Sequence, residues 1–286
     1  MYRGMSRISF LTTRLGALAL GLAAAATPVW AGGDGADGSY SPDDIAQIDV
    51  LPGWRTQDGT HIAALRIRLA DGWKTYWRAP GDAGIPPGFT WAGSRNLQDV
   101  QFIWPTPQVF EQNGMRTVGY SHELILPMVM TPAMADKPIR LKARLALGVC
   151  RDVCMPMQAR VRADLPLPGA QDATIARAMD QRPDTAVEAG LRRATCTVDP
   201  LPDGLRVTAR LTLPRVGPDE MVVMETPNPA VWISEAMTQR SGATLIATLD
   251  IVPPPGAPFL LNRSDLRLTV LAAGRAVDIQ GCDAGS

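Results

Sequence analysis

The chain has 286 residues, with 28 lysines and arginines against 28 aspartates and glutamates. Such a balance gives no electrostatic reason to expect nucleic acid as a partner. Beyond the N-terminus no segment has the length and purity of a membrane span, so no stable membrane insertion of the mature chain is expected.

The N-terminus reads as a secretion signal over residues 1–31. Arg3, Arg7 and Arg14 form a basic front, Leu15 to Ala26 is an apolar stretch, and Pro28 precedes the small-x-small pattern Val29-Trp30-Ala31. The apolar stretch falls short of the roughly 20 residues a bilayer needs. Cleavage near Ala31 removes three arginines and no acid, turning 28 against 28 into 25 against 28. The expected location is the periplasm. Residues 32–41 form a polar, glycine-rich lead, read as disordered.

Glycine and proline number 26 and 25, well above the usual combined share of about 12%. Short alternating runs lie between them, the pattern of an all-β protein. In His61 to Leu69, the residues Ala63, Leu65, Ile67 and Leu69 share one face and Arg66 and Arg68 the other. Ile139 to Val149 sets six apolar residues against Arg140, Lys142 and Arg144. Gln158 to Leu167 sets Val161, Ala163 and Leu165 against Arg160, Arg162 and Asp164. Asp172 to Arg182 reads as a short helix, capped by Asp172 and stopped by Pro183. Strand patterning resumes at Leu205–Leu213, Met221–Glu225, Val231–Ala236, Ala243–Ile251 and Leu266–Val277. The expected fold is all-β: two immunoglobulin-like β-sandwich domains, 42–168 and 190–286, joined by a short helical linker at 169–189.

All four cysteines, Cys150, Cys154, Cys196 and Cys282, lie in the exported part, where disulfides persist. Three connectivities are possible; the spacing favours Cys150–Cys154 and Cys196–Cys282. The segment around Cys150 and Cys154 joins two strand patterns, so both sit at a hairpin tip. Strand parity points Cys150 out of the sheet, on the side of Arg140, Lys142, Arg144, Arg160 and Arg162. From spacing alone the pair reads as a redox centre, a loop staple or a metal site. A ring this small restricts the unfolded chain little, and tight exposed disulfides are the more reducible ones. Neighbouring cations favour a thiolate, which makes Arg151 a candidate modulator; Asp152 opposes it or handles a proton. Cys196–Cys282 reads as structural, although Cys282 is out of phase with Val277 and Ile279 unless a bulge at Gly281 repairs it.

The run Gly72-Trp73-Lys74-Thr75-Tyr76-Trp77-Arg78-Ala79-Pro80-Gly81-Asp82-Ala83-Gly84-Ile85-Pro86-Pro87 resembles the N-terminal domain of DsbD-type thiol:disulfide interchange proteins, most of all the ScsB branch. Trp104-Pro105-Thr106-Pro107, the Gly119-Tyr120 step and Cys150-x-x-x-Cys154 followed by Met155-Pro156 support the likeness over residues 42–168. The resemblance implies a pair of hairpin cysteines that carries electrons from a membrane-embedded thiol reductase to periplasmic thioredoxin-fold clients. It implies that Cys154 forms the mixed disulfide and Cys150 resolves it. It also implies that the loop from Trp77 to Pro87 covers the cysteines; the plainer reading is a surface loop with Trp73, Tyr76 and Trp77 as core or rim aromatics. Full-length relatives carry a transmembrane domain and a thioredoxin-like domain, which these 286 residues lack, so a self-contained reductase is not expected.

Thiol–disulfide exchange needs no metal, nucleotide or flavin, and no cofactor is expected. One competing function is Cu(I) handling by Cys150, Cys154, Met155 and Met157, with Met128 and Met130 nearby. Another is a non-redox β-sandwich binding protein. His122-Glu123 reads as an exposed turn, and no nucleophile arrangement accompanies His61 or His122.

Overall fold

The computed structural model describes residues 42–81, 83–112, 114–255 and 260–285. The expected signal segment and glycine-rich lead lie outside them. A short helix, α1 (Pro42–Ile45), precedes β1 (Ala46–Arg55), β2 (His61–Leu69), β3 (Lys74–Tyr76), β4 (Gly88–Thr90), β5 (Asp99–Phe102), β6 (Gln108–Gln112), β7 (Met115–Ser121), β8 (Glu123–Thr131), β9 (Ile139–Cys150) and β10 (Cys154–Leu165). They form two sheets, one ordered β1-β2-β8-β5 and the other β10-β9-β3-β7-β6, with β4 pairing β9 as well. Period-two alternation turns one face of each sheet inward. Leu65 and Ile67 of β2, Leu126, Met128 and Met130 of β8, and Leu141 and Leu145 of β9 meet in the core. This first sandwich is immunoglobulin-like.

The helix α2 (Ala173–Asp180) follows, with the Asp172 carboxylate accepting from the backbone N–H groups of Thr174 and Ile175. It is more than a connector. Ile175 is fully buried against Ile62 and Ala64 of β2, together with Leu51, Trp54, Ile125, Val129 and Met179. Ile62 and Ala64 lie on the face of β2 opposite its core side, the face that Arg66 and Arg68 share. An isoleucine this enclosed contributes about 3 kcal/mol relative to alanine.

The second sandwich comprises β11 (Asp184–Thr185), β12 (Arg193–Leu201), β13 (Gly204–Thr212), β14 (Met221–Glu225), β15 (Trp232–Ile233), β16 (Met237–Ser241), β17 (Thr244–Val252), β18 (Arg267–Ala272), β19 (Arg275–Gln280) and β20 (Asp283–Ala284). One sheet runs β11-β19-β18-β14 and the other β15-β17-β13-β12-β20, with β16 also on β17. The single strand expected over Leu266–Val277 is a hairpin. Ala273 and Gly274 turn it with φ of 47° and 75°, a two-residue turn with both centres left-handed; an alanine there hides the signal that Asn-Gly would give.

The strand β14 serves both sandwiches. Val222 and Met224 point into the second core, whereas Met221 and Val223 pack against the first. Glu225 shares the outward face and accepts from the Arg78 guanidinium at 2.9 and 3.1 Å. Among the described residues no helix is long and apolar enough to cross a membrane.

Candidate functional site

The strands β9 and β10 are a long antiparallel ribbon whose last registered pair is Cys150 opposite Cys154. Residues 151–153 make the turn. The two cysteines are joined by a disulfide, with Cα atoms 4.1 Å apart. They are unequal: Cys150 is 6% exposed, whereas Cys154 stands open to solvent. Parity does carry Cys150 to the outer face of the sheet, but that face is covered at this point, so the outward residue is buried after all.

The cover comes from the segment after β3. Lys74 and Thr75 pair with Cys150 and Val149, and Gly88 to Thr90 pair with Ala146 to Arg144 farther along β9. Both anchors of the intervening loop therefore lie beside β9, and the loop arches over its outer face. Trp77 N–H donates to Val118 O at 2.9 Å and Val118 N–H to Pro80 O at 3.0 Å, which carries the stem along β7. A tight turn follows, in which Gly84 N–H donates to Gly81 O at 3.2 Å.

Ile85 then comes down on Gly148 beside the Tyr76 ring. A β-carbon at Gly148 would lie 2.6 Å from both Ile85 Cβ and Tyr76 Cδ2. The missing side chain is thus what seats the ring. Tyr76 is 4% exposed, and its hydroxyl donates to Cys154 Sγ at 3.1 Å. Burial pushes the phenol's pKa up, so it stays a donor across neutral pH. The sequence alone left Tyr76 as a core or rim aromatic; the signal that could have singled it out is the glycine inside a strand two residues before Cys150, a mark of close approach by another group.

The charged turn residues contact each other and Trp73. Arg151 donates to Asp152 at 3.1 Å and its guanidinium lies 5.5 Å from the Trp73 ring centre. Trp73 and Trp77 are core residues. Gly119 admits the Thr75 carbonyl, which would lie 2.1 Å from a β-carbon there, and the Tyr120 hydroxyl donates to Pro105 O at 2.8 Å. The motif around residues 104–107 and the Gly119-Tyr120 step therefore build the floor under the loop stem.

Cys196 and Cys282 are also joined, with Cα atoms 5.7 Å apart. Cys196 is fully buried. The phase problem is resolved by a turn and not by a bulge: Gly281, with φ 73°, ends β19 and redirects the chain into β20, which pairs parallel with β12.

The methionines proposed as copper ligands are dispersed. Met128 and Met130 are buried core residues of the opposite sheet. Met155 and Met157 alternate with Cys154 along β10 and so project to the other face, Met157 into the core. Among the described residues no group of three or more His, Cys, Asp or Glu is gathered as a metal site. His61 is buried and its Nε2 donates to Pro52 O at 2.7 Å; His122 sits in a turn with φ 62°.

Residues 41–166 match the family model described as thiol:disulfide interchange protein DsbD, N-terminal. The fold is similar to the crystal structure of the N-terminal periplasmic domain of ScsB from Proteus mirabilis, with a TM-score of 0.66 and 23% identity over 86% of this chain and 97% of that one. No curated protein matches the sequence. The family match spans the first sandwich, and the likeness to the ScsB structure extends the shared fold through the second.

Proposed function

We propose that this is a periplasmic thiol–disulfide exchange protein whose Cys150–Cys154 pair relays electrons from a membrane-embedded thiol reductase to thioredoxin-fold clients. The observation that carries the reading is the asymmetry of the pair: Cys154 is exposed at a hairpin tip and Cys150 is buried. The family match over 41–166 supports it independently.

In the reduced protein the Cys154 thiolate attacks one sulfur of a client disulfide. A bond forms between Cys154 and the client, and the client's other sulfur leaves as a thiolate. Cys150, deprotonated in turn, attacks Cys154 Sγ and releases the client's second thiolate, which takes up a proton. The client gains two electrons and the pair closes as a disulfide. Reductant of the same dithiol class reopens it by the reverse steps. Exposure selects Cys154 for attack, since the incoming sulfur has to approach in line with the bond it breaks. Tyr76 suits this role, because a hydroxyl donating to Cys154 Sγ favours the thiolate over the thiol.

Thiol trapping and mass spectrometry across a redox titration test the proposal. The expected result is reversible reduction of Cys150–Cys154 while Cys196–Cys282 stays oxidised. Equal resistance of the two pairs would overturn it.

A further inference from the structure

We infer that the outer face of the β9–β10 ribbon is a docking surface for an acidic protein partner, placed to guide that partner's disulfide to Cys154. The inference rests on the redox reading of the cysteine pair and assigns the chemistry of the partner.

The register fixes what the face presents. From the tip inward the opposed pairs are Cys150 with Cys154, Gly148 with Pro156, Ala146 with Gln158, Arg144 with Arg160, Lys142 with Arg162, and Arg140 with Asp164. All of these side chains from Ala146 inward are exposed. Arg144 faces Arg160, and Lys142 faces Arg162, directly across the ribbon. Like charges in directly opposed positions destabilise a sheet, and the fold gains nothing visible in return. Asp164 lies 3.7 Å from Arg140; among the described residues Lys142, Arg144, Arg160 and Arg162 have no carboxylate partner. Arg95, bridged to Arg140 across the next gap, extends the positive patch.

The other sandwich sheet makes the contrast. Its outer face carries Ile62 and Ala64, and α2 covers it. On the ribbon the cationic side chains are exposed from Ala146 and Gln158 inward, beyond the stretch where Tyr76 and Ile85 close on Gly148. Exposed Pro156 and Gln158 connect the cationic face to exposed Cys154: at about 3.4 Å per residue, the Arg144–Arg160 pair lies about 20 Å from the disulfide, within the footprint of one docked globular partner. Four of the five cations on the ribbon are arginines, whose planar guanidinium groups bind carboxylates in a bidentate manner. A carboxylate-rich protein surface fits both the sign and the spacing.

The test uses the reduced protein and three synthetic peptides, each with one cysteine activated as its thiopyridyl disulfide. About six residues from that cysteine they carry a run of glutamates, glutamines or lysines. Attack by Cys154 releases thiopyridone, and Cys150 then displaces the peptide thiolate. At low salt the glutamate peptide is expected to react about tenfold faster than the glutamine peptide, with the advantage lost at high salt. In the variant Arg144→Gln, Arg160→Gln, Arg162→Gln the advantage should vanish, while reduction of the uncharged 2-hydroxyethyl disulfide is unchanged. A cysteine-free glutamate peptide titrated against the oxidised protein reads docking without any exchange, so a dead disulfide and a vacant face give different results. Equal rates and binding for the three peptides would mean a merely solvated face and overturn the inference. So would an advantage that survives in the triple variant. Selective, variant-sensitive binding to phosphatidylglycerol vesicles without a peptide effect would assign the face to a membrane surface instead.

Discussion

Arg78, at the foot of the loop that closes on Gly148, is clamped by Glu225 of the second sandwich through two hydrogen bonds at 2.9 and 3.1 Å. The side chains are only 13% and 21% exposed, and Arg78 also lies over the Trp77 ring, 4.0 Å from its centre. Burial lowers the guanidinium's pKa and the charge of Glu225 offsets part of that. Arg116, on the strand beside the loop stem, is paired with Glu235. Between the loop stem and the second sandwich lies a cleft of about 470 Å³, bordered by these same two ion pairs. The second sandwich therefore holds the base of the loop that closes on Gly148 beside the Cys150–Cys154 pair.

Removing one partner of a largely buried ion pair leaves an uncompensated charge. Glu225→Gln is expected to cost about 3 kcal/mol in urea unfolding. Arg78→Met combined with Glu225→Leu should recover most of that loss. Equal destabilisation by both variants would show that the charges themselves are not what matters.

Tyr76→Phe deletes the hydroxyl that donates to Cys154 Sγ and keeps the ring over Gly148. A hydrogen bond to a charged group contributes about 1.5–3 kcal/mol when well formed, less at a sulfur open to water. The expected outcome is a Cys154 thiol with a raised pKa and alkylation slowed about fivefold at neutral pH, with stability almost unchanged. The pH profile of iodoacetamide trapping measures it.

Gly148→Ala places a methyl group 2.6 Å from ring and loop carbons, so Tyr76 and Ile85 have to move. The prediction is faster alkylation of Cys150 in the reduced protein, because the packing two residues before it is displaced, together with a stability loss of about 1–3 kcal/mol from overpacking. Unchanged Cys150 trapping would mean that the loop does not govern access.

Cys196 and Cys282 are 86 residues apart. Chain entropy then predicts about 4.5 kcal/mol lost in the double Cys→Ser variant. Exchange with a small disulfide should persist in whatever fraction remains folded, which separates the structural pair from the reactive one.

His61 supplies a pH dependence. Its ring is buried, and desolvation holds its pKa below the ordinary 6.5, with the nearby Arg55 charge adding to that and the bond to Pro52 O opposing it. As pH falls through about 6.5 the unfolded chain takes the proton first. The contribution is thus present above that pH and lost below it, with a limiting slope of about 1.4 kcal/mol per pH unit. His61→Gln should flatten the stability profile below about pH 6.5; a profile that keeps its slope would assign the proton elsewhere.

The alternation in Ile139–Leu147 and Gln158–Leu165 was enough to place two strands, and three residues between Cys150 and Cys154 were enough to place both at a hairpin tip. Period-two patterning depends only on which face meets water, so it is written locally. The Asp172 cap and Pro183 stop made α2 legible for the same reason. What covers an outer face is not local. Nothing near Ile62 announces that α2 returns to bury it, and nothing near Glu225 announces Arg78, 147 positions away. Parity correctly turned Cys150 outward, yet outward did not mean exposed: Cys150 is buried, and two positions earlier Tyr76 and Ile85 close on Gly148 from another part of the chain. The sequence by itself determined a paired-cysteine hairpin on a β-sandwich. Tertiary structure decided which cysteine is exposed, because burial is set by long-range packing that no local pattern encodes.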